Sequence, residues 1–377
     1  MCSALAVQAQ PPGITVEQIA TDLNNPRGVG VLPDGRLLVV EAGTGETLRI
    51  ETDGSGRILL LDDTNSDGDY NDANEREPVL TEIPSYNSLE MFQTGHDEVF
   101  GLGDLAVLPG GEVFFTKDDP FAQRARGMDD IFYGDTGVFA LDAQAQTSQV
   151  LVNRSSTVNG LAYDPARAGF YITESGRNQI AFVPLDGSEP TVTAQFEMLA
   201  NGQEPVPSGV AVDPTTGDVL VSLFSGYLKD YEGMNLSFVP GDSQVMRVDP
   251  ATGAVTEAVT GLTTAVDVTV DATGNLYVAE MTRQWPPGLM PTGFDLEDTS
   301  APPDPGGYMR STGRVSMFPA DGSAPLVLMD AVDTPASLHW HAGALYVSTG
   351  VGTPGRNVYT LEGIREIEGA LYRVTGF

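Results

Sequence analysis

The chain's 377 residues include 52 Asp and Glu against 19 Lys and Arg, giving a formal charge of −33 and a pI near 4.1. Such a field repels phosphate backbones and anionic lipid, which excludes nucleic acid as a natural partner and disfavours an anionic membrane surface. With 41% hydrophobic residues the chain has material for a large core, so its acidity marks the solvated skin of a folded protein rather than disorder.

The first ten residues, MCSALAVQAQ, are small and apolar, and Val7 and Ala9 stand where a signal peptidase prefers small side chains before its cut. They read as the tail of a secretory signal, although no basic segment precedes them. Residues 1–12 are therefore expected to be a signal remnant or a disordered terminus, and the protein to be secreted or periplasmic. Cys2 is the single cysteine, so neither an intrachain disulfide nor a thiolate metal cage can form. Three histidines, His96, His339 and His341, are too few for a multi-His metal site. No run approaches the roughly 18 apolar residues that cross a bilayer, so no membrane span is expected.

From residue 13 the chain reads as strands. GITVEQIATDL (13–23) comes first and has no neighbour in sequence to pair with. Six similar units follow, each a small or polar residue, an apolar strand, a Gly or Asp turn and a second strand. They are RGVGVLPDGRLLVVE (27–41), DLAVLPGGEVFFTK (104–117), NGLAYDPARAGFYITE (159–174), SGVAVDPTTGDVLVSL (208–223), DVTVDATGNLYVAE (267–280) and SLHWHAGALYVST (337–349). A third strand follows each, at 56–62, 137–142, 179–185, 244–249, 313–318 and 369–374, and a fourth follows the first five, at 77–83, 148–153, 190–196, 254–260 and 324–329. The sixth unit lacks its fourth strand, and residues 13–23 have the pattern to supply it. The chain is thus expected to be all-β: a six-bladed β-propeller of four-stranded blades over residues 13–377, one domain, with the N-terminal strand closing the last blade and leaving no open edge. In that topology the long connections 84–103, 118–136, 224–243, 281–312 and 350–368 crowd onto one face, where function is expected.

Between the third and fourth strands of the first blade lies DTNSDGDYNDANE (63–75). Oxygen donors at alternate positions around Gly68 reproduce the start of a calcium loop, with Asp63, Asn65, Asp67 and Asp69 followed by Asp72 and Glu75 as closing ligands. A structural Ca²⁺ is expected there, on the plainer face. Arg27, Asp104, Asn159, Ser208, Asp267 and Ser337 occupy equivalent repeat positions, which places them in a ring at the channel mouth on the loop-rich face. Glu41, Glu174 and Glu280 end second strands and point towards the same rim. The ring admits two readings: an oxygen-rich seat for a second, axial Ca²⁺, or solvated groups in which Arg27 neutralises Asp104 and Asp267.

LNNPRGVGVLPDGRLLVVEAG, VPSGVAVDPTTGDVLVSLFSGY and TAVDVTVDATGNLYVAE resemble the NHL-like propellers of the ScyD/ScyE family, over roughly residues 14–377. That resemblance implies a secreted or periplasmic six-bladed propeller without a defined chemistry. VNGLAYDP (158–165) and VDVTVD (266–271) resemble, more distantly, the gluconolactonase and senescence-marker propellers, which are calcium-dependent lactone hydrolases; it implies metal binding by Asn159 and Asp267. Two departures stand against it, because Arg27 occupies the place of a metal-binding glutamate and Asn159 and Asp267 lie two blades apart. The propeller pattern is also similar to that of quinoprotein sugar dehydrogenases, without their constellation of His and basic residues.

Two functions compete on this reading. One is a calcium-stabilised propeller that binds a small molecule, glycan or protein on its loop-rich face, anchored by Met91, Phe92, Phe121, Tyr227, Tyr231, Trp285 and Tyr308. The other is a metal-dependent lactone or ester hydrolase in which Asp104, Asn159 and Asp267 hold the ion and Glu174 or Glu280 manages protons.

Overall fold

The computed structural model describes residues 13–45, 54–87, 97–118, 136–154, 156–199, 202–226, 238–284 and 308–377. They form six antiparallel four-stranded sheets arranged as a six-bladed propeller. From the axis outwards, blade 1 is Pro26–Val31, Leu37–Glu41, Gly56–Leu61 and Arg76–Ile83, and blade 2 is Leu102–Val107, Val113–Lys117, Gly137–Asp142 and Thr147–Asn153. Blade 3 is Val158–Asp164, Gly169–Glu174, Gln179–Pro184 and Thr191–Gln195; blade 4 is Pro207–Val212, Val219–Leu223, Ser243–Val248 and Val255–Leu262. Blade 5 is Ala265–Val270, Leu276–Glu280, Gly313–Phe318 and Leu326–Val332. Blade 6 takes Ser337–His341, Ala344–Thr349 and Gly369–Thr375 from the C-terminal end and Thr15–Leu23 from the N-terminal end.

The closing strand therefore lies where the unpaired pattern predicts, with Thr15 opposite Thr375 and Leu23 opposite Gly369. Strand bounds agree with the sequence reading to within two or three residues. Two short ribbons, Tyr86–Asn87 with Val99–Phe100 and Asn357–Thr360 with Gly363–Glu366, are additions that the repeat does not announce. Helix among the described residues is limited to one 3₁₀ turn, Ser175–Arg177, and none is long and apolar enough to cross a membrane.

Burial explains the strand composition. Second strands such as Leu37–Glu41, Val219–Leu223 and Leu276–Glu280 are buried at every position, because both faces of a blade are covered by neighbouring blades. Outer strands such as Thr147–Asn153 are largely exposed, and there polar residues interrupt the apolar pattern. Each of the six seams carries its own apolar cluster. Leu38, Ile58 and Leu60 of blade 1 meet Leu105, Phe115 and Phe139 of blade 2, and the cycle ends where Ile19, Leu23 and Leu371 of blade 6 meet Val29, Leu59 and Tyr70 of blade 1. At about 1.5–3 kcal/mol for each large side chain withdrawn from water, no single seam dominates and the ring stands by being closed.

Candidate functional site

At the start of the innermost strands the ladder to the second strand slips in five blades. The shifts fall between Pro26 and Val29, Leu102 and Leu105, Val158 and Leu161, Pro207 and Val210, and Ala265 and Asp267. Each inserts one extra residue, a bulge that re-aims side chains at the rim of the ring. In three blades a hydroxyl from the second strand takes up the displaced amide: Asp104 N donates to Thr116 Oγ1, Gly160 N to Thr173 Oγ1 and Gly209 N to Ser222 Oγ, each at 2.8 Å. In blade 6 the assigned ladder begins with Ser337 opposite Ser348, and the displacement lies just before it, Ala336 N also donating to Ser348 O at 2.9 Å. Ser348, at the repeat position of those hydroxyls, has a buried Oγ with no partner.

The bulges bring Arg27, Asp104, Asn159, Ser208, Asp267 and Ser337 to the wall of one cavity of about 290 Å³ on the axis, at the loop-rich face. That volume is near the lower edge of the roughly 300–1,000 Å³ typical of small-molecule pockets. Glu98, Asp118, Ser175 and Glu204 add polar groups, and Phe100, Phe224, Met281 and Tyr308 stand among the apolar lining. Of the aromatic anchors named above, Tyr308 alone is described. It is buried, stacked on Phe238 with centroids 5.9 Å apart and edge-on to Phe224 at 6.1 Å. Met91, Phe92, Phe121, Tyr227, Tyr231 and Trp285 lie outside the described residues.

The ring side chains also join blades. Asp104 of blade 2 accepts the amide of Leu105 at 2.8 Å and, across the seam, that of Leu161 at 3.0 Å. Three blades further on, Asp267 of blade 5 does the same with Val268 at 2.8 Å and Leu338 at 2.7 Å. Glycines make room for both carboxylates. A Cβ on Gly28 would lie 2.6 Å from Asp104 Oδ1, and one on Gly209 would lie 2.6 Å from Asp267 Cα. Burial raises Asp104 to about 6, against the pull of its two amide donors. Asp267 is raised further above the usual carboxylate range, by burial and then by repulsion from Asp104. Asn159 donates from Nδ2 to Ser175 Oγ at 2.8 Å, and that hydroxyl donates to Pro207 O at 2.6 Å. Ser208 Oγ lies 3.1 Å from Ser222 Oγ and donates to Ala265 O at 3.2 Å. Arg27 faces Glu98 at 3.6 Å and donates to Val99 O at 2.9 Å. Its partner is thus Glu98, and burial lowers its pKa.

The three second-strand glutamates are not among the residues lining this cavity. Glu41 is wholly buried, paired with Arg57 and accepting Asn24 N–H at 2.6 Å. Glu174, also wholly buried, is held by both arms of Arg154 at 3.0 and 2.8 Å and by Gln179 at 2.6 Å. Glu280 accepts Thr263 N–H at 2.7 Å beside Arg283, and burial raises its pKa. Each ties the end of a second strand to the chain arriving from the preceding blade or to its neighbouring strand. The structure thus directs Glu174 and Glu280 away from the position that proton transfer at the axis requires.

On the opposite face the 63–75 loop brings carboxylate oxygens of Asp63, Asp67 and Glu75 within 4.8 Å of one another. Asp63 accepts the amides of Asp67 and Gly68, Asn65 Nδ2 donates to Asp67 and Asp72, and Asp69 accepts the amide of Asn71. Glu75 is buried beneath them, accepting Thr64 N–H at 3.1 Å. Among the described residues this is the one group of three acidic side chains close enough to share an ion; the axial carboxylates do not form another.

The profile of the SMP-30/Gluconolactonase/LRE-like region matches residues 17–260, so the chain belongs to that family of propellers. No curated protein matches the sequence. Among solved structures, a Bacteroides thetaiotaomicron protein of unknown function is 10% identical, over 96% of this chain and 76% of that one, at a TM-score of 0.56. A nidogen/laminin complex chain is 13% identical over 84% and 86% at 0.50. A gluconolactonase from Xanthomonas campestris is 19% identical over 67% and 68% at 0.41. At such identities the first two likenesses are ones of fold.

Proposed function

We propose that the protein is a secreted or periplasmic binding propeller of the ScyD/ScyE type, which takes a small ligand in its axial cavity and is stiffened by Ca²⁺ in the 63–75 loop. One observation carries the reading: the repeat-equivalent ring converges on a cavity of small-molecule size in which apolar walls surround a few fixed polar groups. Those groups are locked by bonds between blades, and such preorganisation favours binding. The loop supports its part because Asp63, Asp67 and Glu75 offer hard oxygen donors at a spacing an ion could bridge. It also grips the closing strand. Tyr70 N donates to Ile19 O at 2.8 Å, Thr21 N to Asn71 Oδ1 at 3.0 Å and Arg76 Nη1 to Thr21 O at 2.7 Å. An ion in the loop would therefore brace ring closure.

Family membership favours a second reading, a calcium-dependent lactone or ester hydrolase. It requires an ion held by Asp104, Asn159 and Asp267, where each aspartate oxygen already accepts one backbone amide, from Leu105, Leu161, Val268 and Leu338, and Asn159 donates from Nδ2 to Ser175. The test is a lactone and ester panel run with and without chelator, beside a small-molecule library screened by thermal shift. Ligands that shift melting without turnover support binding. Turnover that vanishes with chelator and in Asp267→Ala would replace it with the hydrolase.

A further inference from the structure

We infer that the axial cavity recognises a protonated amine carried on a compact apolar or aromatic body, because the described wall sets five carboxylates against one guanidinium around an apolar surface. This rests on the cavity being a binding site, and it names the chemistry of the ligand.

The charge asymmetry is local. Glu98, Asp104, Asp118, Glu204 and Asp267 line the cavity, and Arg27 is the cation among them. Arg27 is already committed to Glu98 and to Val99 O, so Asp104 and Asp267 face no cation of the described wall, and burial and mutual repulsion favour their neutral forms until a cation arrives to share the site. These two stand in blades 2 and 5, three apart in a ring of six, and repel one another. Each spends both oxygens on backbone amides, which fixes its position, and each oxygen retains a lone pair. The acidic groups of the described wall do not form a set of three within reach of one ion, whereas an ammonium needs only an acceptor oxygen from one of them and takes the rest of its recognition from the walls. A metal ion would leave the walls unused. Phe224 and Tyr308, with Met281, provide faces on which the rest of the molecule rests, and aromatic faces further favour a neighbouring cation.

The discriminating experiment compares shape-matched ligands on the intact wild-type protein by calorimetry. The probes are 2-phenylethylamine, 2-phenylethanol and 3-phenylpropionate, with a short series of alkyl and aryl amines beside their alcohols. The amines are expected to bind at least about 10-fold more tightly than their alcohols, the worth of one charge-assisted hydrogen bond of some 1.5 kcal/mol, and the carboxylate not at all. Glu204→Gln, on the wall but outside the blade clamps, is expected to weaken the amines and leave the alcohols unchanged; Asp104→Asn adds the same comparison where its melting curve shows a folded protein. Alcohols binding as tightly as amines would overturn the inference while leaving the cavity a binding site. Binding of no compound in either series would overturn both.

Discussion

Replacing Glu174 by Gln separates a structural from a chemical role. The carboxylate is wholly buried and receives three charge-assisted hydrogen bonds, two from Arg154 and one from Gln179. Gln retains one acceptor oxygen and turns an NH₂ group towards donors, which leaves the nearly buried Arg154 guanidinium short of a partner. Removing one member of a buried pair costs about 3–5 kcal/mol. Unfolding entropy of ~2.1 cal/mol/K per residue gives about 0.8 kcal/mol/K for a chain of this length, so the melting temperature should fall by about 4–6 °C. Thermal denaturation followed by far-UV circular dichroism measures the shift, and ligand binding or ester turnover below the transition should be unchanged because Glu174 does not line the cavity. An unchanged melting temperature would refute the reasoning. So would a normally stable variant that had lost binding or turnover.

Millimolar Ca²⁺ should raise the melting temperature and EDTA lower it; ligand at 100 times its dissociation constant supplies about 2.7 kcal/mol, and Asp63→Asn with Asp67→Asn should abolish the response. Tyr70→Ala should cost about 3–5 kcal/mol in a denaturant titration, because it empties the seam cluster that the closing strand completes. Gly209→Ala drives a Cβ to 2.6 Å from Asp267 Cα, a backbone clash that rotamer change cannot relieve; a loss of about 1–3 kcal/mol or more is expected, with weaker binding in the cavity. His339 is pushed down to about 4 by burial and by His341. The unfolded chain takes up this proton as pH falls through 6.5 and the folded protein only near 4, so its contribution to stability is present above 6.5 and lost across that window; the NMR shifts of its ring should titrate near 4, and titration near 6.5 would contradict the burial.

The blades were legible because repetition does what a single strand's pattern cannot. RGVGVLPDGRLLVVE alone is a hairpin, but six phased copies with a missing fourth strand at one end and a spare strand at the other define a closed ring. Repeat phase also located Arg27, Asp104, Asn159, Ser208, Asp267 and Ser337 on one wall. It did not reveal where Glu41, Glu174 and Glu280 turn, since their arginine partners lie in connections and in strands outside the repeated motif. Glu98 and Glu204 were missed for the same reason: they lie in connecting chain that no other blade repeats. The bulge hydroxyls did leave a signal. Thr116, Thr173, Ser222 and Ser348 recur one residue before the end of the second strand, a polar residue in an otherwise apolar run.

The closing strand runs from the plain face to the loop-rich face, and its partner Gly369–Thr375 runs the other way. Gly13 and Gly376 consequently lie side by side, a Cβ at Gly13 falling 3.6 Å from Gly376 O, at the end of the channel remote from the cavity. Chain joined at Gly13 or Gly376 starts from that side, so a tether or fusion attached there would hold the molecule with its mouth outward. The same adjacency makes the backbone nearly circular: a few residues linking 376 to 13 would permit new ends at a plain-face turn such as Leu32–Gly35, moving the seam that must close last to a different blade without touching the cavity.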